Sequence, residues 1–130
     1  SLNAQMIGFD VAAFGITVDC APVIDLVRAD VIVPKGGDDK PHATSASLYQ
    51  RSFGDDAAIV AACGQAFAYG LHSMGVTSVL KHAPGYGRVA VDPHFGLDKI
   101  RVSRADLLAT DLAPYRALRN YPALMTAHTV

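Results

Sequence analysis

The residues best able to do chemistry fall in two short segments. Lys81-His82-Ala83-Pro84-Gly85-Tyr86-Gly87 sets a cation beside an imidazole and follows them with two glycines around an aromatic ring. Adjacent Lys and His side chains can reach one ligand only if the backbone bends at their position. Pro84 and Gly85 are expected to permit that bend, since glycine accepts turns that other residues resist. Such a cluster could hold sugar hydroxyls. The second segment is Asp92-Pro93-His94. A carboxylate next to an imidazole fixes its tautomer and raises its basicity, as a general acid/base near neutral pH requires. On spacing alone, a surface loop with an incidental Asp and His fits this segment equally well.

These groups need elements to place them. Apolar stretches of about five residues recur, each followed by a polar loop and a segment of helical spacing, the alternation of a parallel α/β fold. Three strands are expected: residues 16–21, stopped by Pro22; 77–82, stopped by Pro84; and 123–128. All three are rich in apolar or β-branched residues on both faces, as strands buried on both sides should be. Polar residues close each one, with Asp25 after the first, Lys81 and His82 on the second and His128 on the third. In barrels and open α/β sheets such groups converge on the carboxyl face.

Helices are expected between the strands. Over 55–74, Ile59, Cys63, Phe67, Leu71 and Met74 form one apolar stripe, with Asp55 as N-cap and Gly75 as the stop. Over 103–118, Leu108, Leu112, Tyr115 and Leu118 share a face, Ser103 caps, and Asp106 makes an imperfect capping box. Pro114 should kink or shorten that helix. Residues 1–14 read as the tail of another helix, with Met6, Phe9, Val11 and Phe14 lining a face. The stretch 27–50, with Pro34, Gly36, Gly37, Asp38, Asp39 and Pro41, shows no sustained period and reads as a long βα loop.

Composition narrows the function. The chain has 130 residues, 51% of them hydrophobic, 18% charged, and a formal charge of −1. That is a globular composition, without the basic stripe of a nucleic-acid binder or a polybasic membrane anchor. No apolar run approaches the roughly 20 residues of a membrane span, and no leader opens the chain, so a cytoplasmic address is expected. Cys20 and Cys63 lie in apolar surroundings at no metal-ligand spacing and are expected to be small core residues, not a disulfide. Both chain ends read as cuts.

The pattern Lys-His-x-Pro-Gly-x-Gly followed by Asp-x-His resembles the signature of glycoside hydrolase family 3, in its β-N-acetylhexosaminidase branch. Asp19-Cys20-Ala21-Pro22-Val23-Ile24-Asp25 is similar to the family's Asp-x-Ala-Pro-Val-x-Asp strand, Arg51-Ser52-Phe53-Gly54 to its arginine-containing loop, and Met125-Thr126-Ala127-His128 to its next strand end. The likeness runs in order from about Gly15 to Val130. It implies a (β/α)8 TIM-type barrel, of which residues 1–130 supply about half, three strands and their helices, since a barrel takes about 250 residues. It also implies retaining removal of terminal β-linked N-acetylglucosamine, from peptidoglycan fragments in cell-wall recycling.

By the same resemblance Arg51, Lys81 and His82 bind the sugar, His94 is the general acid/base and Asp92 its dyad partner. The substrate is a small carbohydrate containing N-acetylglucosamine, with no cofactor, metal, nucleic acid or membrane partner. The nucleophile of a retaining mechanism is expected after a later strand, beyond this chain, so the fragment alone is expected to be inactive, and open sheet edges should make it unstable. Three positions depart from the pattern: Tyr86 stands where the family usually has histidine, Pro93 where it has serine, and Leu97-Asp98-Lys99 lacks a proline. A catalytically silent sugar-binding relative, a family 3 β-glucosidase, and a metal hydrolase using His82, Asp92, His94 and His128 are the competing readings.

Overall fold

The computed structural model describes residues 1–28, 51–89 and 99–129. Seven elements follow in the order α1 (Leu2–Ala13), β1 (Val18–Asp19), α2 (Ala57–His72), β2 (Thr77–Ala83), α3 (Arg104–Ala109), α4 (Ala113–Ala117) and β3 (Ala123–Thr126). The strands form one parallel sheet in the order β1-β2-β3, so the longest strand is central. Consecutive parallel strands joined through helices are the α/β arrangement expected from the sequence.

The core lies between this sheet and the helices. Ile24, Leu26, Val60, Ala68, Leu80, Tyr115 and Leu118 form its main cluster, drawn from the chain after β1, from α2, β2 and α4, and from the residue that caps α4. Burial on both faces of every strand was expected and is not found among the described residues. Val18 of β1 is 52% exposed, and Leu124 of β3 is 53% exposed although its register partner Leu80 is 2% exposed. The reason is coverage: α2 packs on β2 and α4 packs on α2, leaving both flanking strands largely bare.

The packed face of α2 also differs from the expected stripe. Val60, Ala61, Gly64, Ala68, Gly70 and Leu71 are buried, whereas Ile59 is 57% exposed. Close approach decides this. A Cβ on Gly64 would come within 2.5 Å of the Ile24 side chain, and one on Gly70 within 2.7 Å of the Ala4 Cβ. Small residues let the backbone sit on its neighbours, and a periodicity read from large apolar side chains overlooks them. The N-cap is Asp56 rather than Asp55; its carboxylate accepts from the backbone N–H groups of Ala58 at 2.8 Å and Ile59 at 2.9 Å.

The same correction applies to α1. Ala4 and Gly8 face α2, while Met6, Phe9 and Phe14 are 68%, 68% and 85% exposed. Cys20 is exposed and Cys63 half-buried, both as free thiols, so neither is a core residue. The expected helix over 103–118 is split at residues 110–112, with Pro114 in the first turn of α4, where its missing N–H costs nothing. Ser103 does cap α3: its Oγ accepts from the Asp106 N–H at 3.0 Å and donates to the Asp106 carboxylate at 2.7 Å. No helix among the described residues is long and apolar enough to cross a membrane.

Candidate functional site

The carboxyl end of β2 is where the polar groups gather. Alternating burial along β2 stops at Lys81, and residues 81–83 are all half-buried. The cause is a register shift: Lys81 pairs with Met125 and Ala83 with Thr126, so His82 is an extra residue on this strand. A bulge of that kind breaks the alternation of side chains and redirects one of them. The bend expected at the position of Lys81 and His82 is this irregularity between Lys81 and Ala83. The peptides Ala21–Pro22, Lys81–His82 and Ala83–Pro84 are cis. On the other side of β2 the chain after β1 rejoins the sheet, with the Ile24 N–H donating to the Lys81 carbonyl at 2.9 Å and the Lys81 N–H to the Pro22 carbonyl at 3.2 Å.

This pairing delivers Asp25, wholly buried, to His82. Asp25 Oδ1 accepts from the His82 backbone N–H at 2.7 Å and from the Tyr115 hydroxyl at 2.5 Å. Asp25 Oδ2 lies 3.0 Å from His82 Nδ1, and the imidazole keeps 12% of its side-chain surface exposed. A buried carboxylate is costly unless its oxygens are occupied, and here two donated hydrogen bonds and the imidazole nitrogen occupy them. Burial first, then the charge of Asp25, its hydrogen bond and the more distant Asp111 push the Tyr115 phenol far above its ordinary value. Tyr115 therefore stays a protonated donor.

Two further contacts complete the frame. Tyr86, buried in a cluster with Val23 and Val89, sets its ring 4.8 Å from the His82 ring at 46°, and its hydroxyl accepts the His128 N–H at 2.8 Å. Tyr86 thereby ties the end of β2 to the chain after β3. Gly87 permits the turn, since a Cβ there would overlap the Leu26 carbonyl oxygen. On the opposite flank the Ser52 hydroxyl donates to the Asp25 carbonyl at 2.7 Å, and the Val27 N–H donates to the Gly54 carbonyl at 2.9 Å. Those bonds pin the segment carrying Arg51, which is exposed, alongside Asp25.

Of the expected site residues, Arg51, Lys81 and His82 are thus brought to one end of the sheet. Asp92, Pro93 and His94, and all but the first two residues of the 27–50 loop, lie outside the described residues. His128 contributes its backbone N–H, and its side chain belongs to an exposed residue. Among the described residues, no three metal-ligating side chains come together. A separate cavity of about 280 Å³, lined in part by His72, Thr77, Ser78 and Tyr121, sits at the amino end of the sheet, away from these groups.

Sequence reasoning missed Tyr115, which it placed on an apolar face, and Asp111. The signal available was chemical: a core tyrosine needs an acceptor for its hydroxyl, and Asp25 is an uncompensated charge in an apolar run. Asp111, 2% exposed, accepts from Arg88 Nε at 2.7 Å and from the Thr110 hydroxyl at 2.6 Å, and Arg88 also donates to Thr110 at 3.1 Å. This pair ties the turn after β2 to the α3–α4 junction.

Residues 3–130 match the Glycosyl hydrolase family 3 N terminal domain. Beta-hexosaminidase LpqI of Mycobacterium tuberculosis (strain ATCC 25618 / H37Rv) is 41% identical over 113 residues, covering 85% of this chain and 25% of that protein. The Beta-hexosaminidase of Xylella fastidiosa (strain M12) is 34% identical over 130 residues, covering 98% and 34%. The crystal structure of NagZ from Neisseria gonorrhoeae in complex with N-trifluoroacetyl-D-glucosamine superposes with a TM-score of 0.80 at 31% identity, covering 98% of this chain and 34% of that one. The chain thus spans about a quarter to a third of these relatives. By the match of its length and by these identities, the chain belongs to glycosyl hydrolase family 3, a family of (β/α)8 barrels, within whose N-terminal domain it falls.

Proposed function

We propose that this chain forms the sugar-gripping part of a β-N-acetylhexosaminidase, a retaining enzyme that removes terminal β-linked N-acetylglucosamine from peptidoglycan fragments in cell-wall recycling. In this reading it supplies three strands of the barrel. Arg51, Lys81 and His82 hold the sugar at the carboxyl end of the sheet. His94 gives a proton to the glycosidic oxygen as a nucleophile on a later strand attacks the anomeric carbon. His94 then takes a proton from the water that hydrolyses the glycosyl-enzyme. Asp92 orients the His94 ring.

The observation that carries the reading is His82, a half-buried imidazole at the carboxyl end of the central parallel strand, held by a wholly buried carboxylate and flanked by the Arg51 segment. In parallel α/β folds ligands bind at that end. The names of the relatives, and the N-trifluoroacetyl-D-glucosamine in complex with the Neisseria protein, support an N-acetylhexosamine as substrate. The roles of Asp92 and His94 rest on the motif alone.

The test is hydrolysis of a chromogenic N-acetyl-β-glucosaminide and, in parallel, a β-glucoside, by the natural full-length polypeptide carrying this chain and by its His94→Ala variant. Selective cleavage of the N-acetylglucosaminide, reduced at least about a hundredfold by His94→Ala, is expected from the usual worth of a general acid. A folded, sugar-binding protein without hydrolysis would make it a silent relative, and preference for the glucoside would make it a β-glucosidase.

A further inference from the structure

The Asp25 network does more than neutralise a buried charge. Two donors and an imidazole converge on one carboxylate from two parts of the chain: the His82 main chain and the Tyr115 hydroxyl donate to Oδ1, and the His82 ring lies against Oδ2. An ionised carboxylate only accepts. With Oδ1 taken by two N–H and O–H donors, the ring nitrogen facing Oδ2 is the one that must carry a proton. The imidazole is also held on its face by Tyr86, whose own position is fixed by the His128 N–H. Its remaining nitrogen, Nε2, has no hydrogen bond to the described residues and belongs to a ring with 12% of its surface open.

We propose that Asp25 is a positioning residue for the sugar site: supported by Tyr115, it holds His82 as the Nδ1-protonated tautomer, so that Nε2 presents a lone pair and accepts a hydrogen bond from a hydroxyl of the bound sugar. Tyr115 supports the ionised carboxylate by donating to Oδ1, while the tautomer follows from the carboxylate itself, which only accepts. Asp25 touches no substrate; it acts through His82. The role toward the sugar rests on the glycosidase reading above, whereas the tautomer does not. The selectivity consequence is chemical. A neutral imidazole with a free Nε2 rewards a ligand that offers an O–H at that point, and a ligand carrying an ether or a fluorine there loses the bond. A buried acceptor left unpaired then costs the complex more than the bond's net contribution.

The experiment is long-range ¹H–¹⁵N correlation NMR of the His82 ring in the ligand-free, natural full-length polypeptide, above the pH at which the ring is protonated. The expected spectrum shows Nδ1 bearing the proton and Nε2 bare. Asp25→Asn, whose amide can donate as well as accept, is expected to shift the ring to a mixture or to the Nε2-protonated form. Tyr115→Phe, which keeps the ring in the core, is expected to retain the Nδ1 proton. Turnover supplies the second arm: Asp25→Asn should raise KM for the N-acetyl-β-glucosaminide at least tenfold, with a smaller change in kcat. An Nε2-protonated wild-type ring overturns the proposal with no variant needed, and so does an unchanged tautomer in folded Asp25→Asn. The expected tautomer in a protein with no glycosidase activity upholds the positioning of His82 and contradicts the hexosaminidase reading instead.

Discussion

The Tyr115 hydroxyl donates to Asp25 Oδ1 at 2.5 Å across 90 residues of chain. This bond joins the helix before β3 to the chain after β1, directly behind the His82 imidazole. It couples the packing of α4 to the carboxyl end of β2.

Removing only that hydroxyl should therefore cost stability without emptying the core. Tyr115→Phe keeps the ring in the main cluster and takes one donor from a buried carboxylate. Hydrogen bonds to charged groups contribute about 1.5–3 kcal/mol, and a loss of that size is expected in urea unfolding of the natural full-length polypeptide. A change under about 0.5 kcal/mol, below the worth of even a neutral hydrogen bond, would show that the bond is not made.

The same phenol predicts alkaline sensitivity. Its folded value is raised far above the ordinary tyrosine value, which is about 10. Below that pH the proton is bound in both states and the stabilisation is fully present. As pH rises past about 10, the unfolded chain releases a proton that the folded chain keeps, and stability falls by about 1.4 kcal/mol per pH unit. Tyr115→Phe should remove that share of the slope. Equal slopes in urea titrations of the two proteins between pH 9 and pH 11, roughly the range over which an unfolded tyrosine titrates, would contradict the assignment.

Arg88 and Asp111 should behave as a unit. Arg88→Met leaves a carboxylate that is 2% exposed with, among the described residues, only the Thr110 hydroxyl, and breaking a buried pair in this way costs about 3–5 kcal/mol. The Arg88→Met, Asp111→Leu double variant removes both charges and should recover much of that loss. Additive costs in a double-mutant cycle would mean that the two groups are not coupled.

Gly87 tests the close approach that shapes the turn beside His82. A Cβ there meets the Leu26 carbonyl oxygen, which is backbone and cannot swing aside. Gly87→Ala should cost about 3 kcal/mol, at the upper end for overpacking, and weaken sugar binding with it. Wild-type stability in this variant, measured by thermal or urea unfolding, would contradict the geometry.

Much of this was legible in the sequence, for identifiable reasons. The strands at 77 and 123 were readable because short apolar or β-branched runs end at prolines or polar residues, and the break before Pro114 followed from its missing N–H. Arg51, Lys81 and His82 were singled out through the family resemblance, and the fold brings them to one end of the sheet. Helix faces were misread wherever contact depends on small residues: Gly64 against Ile24 and Gly70 against Ala4 carry no hydrophobic signal, so Ile59, Met6 and Phe9 were assigned inward and are exposed. The Asp25–Tyr115 bond was invisible because its partners are far apart in sequence, and a tyrosine in an apolar stripe looks like any large core residue. The bulge at His82 leaves no compositional trace, since it is set by the register of β2 against β3.

If the carboxyl end of β2 grips an N-acetylated sugar, calorimetric titration should detect it without any turnover. N-acetylglucosamine is titrated into the natural full-length polypeptide and into its Lys81→Ala and His82→Ala variants. Saturable binding is expected, weakened at least about tenfold by either substitution in proteins whose unfolding is unchanged, as when a polar group that holds the ligand is lost. Absence of binding, or binding that neither substitution alters, would contradict a sugar site at this end of the sheet.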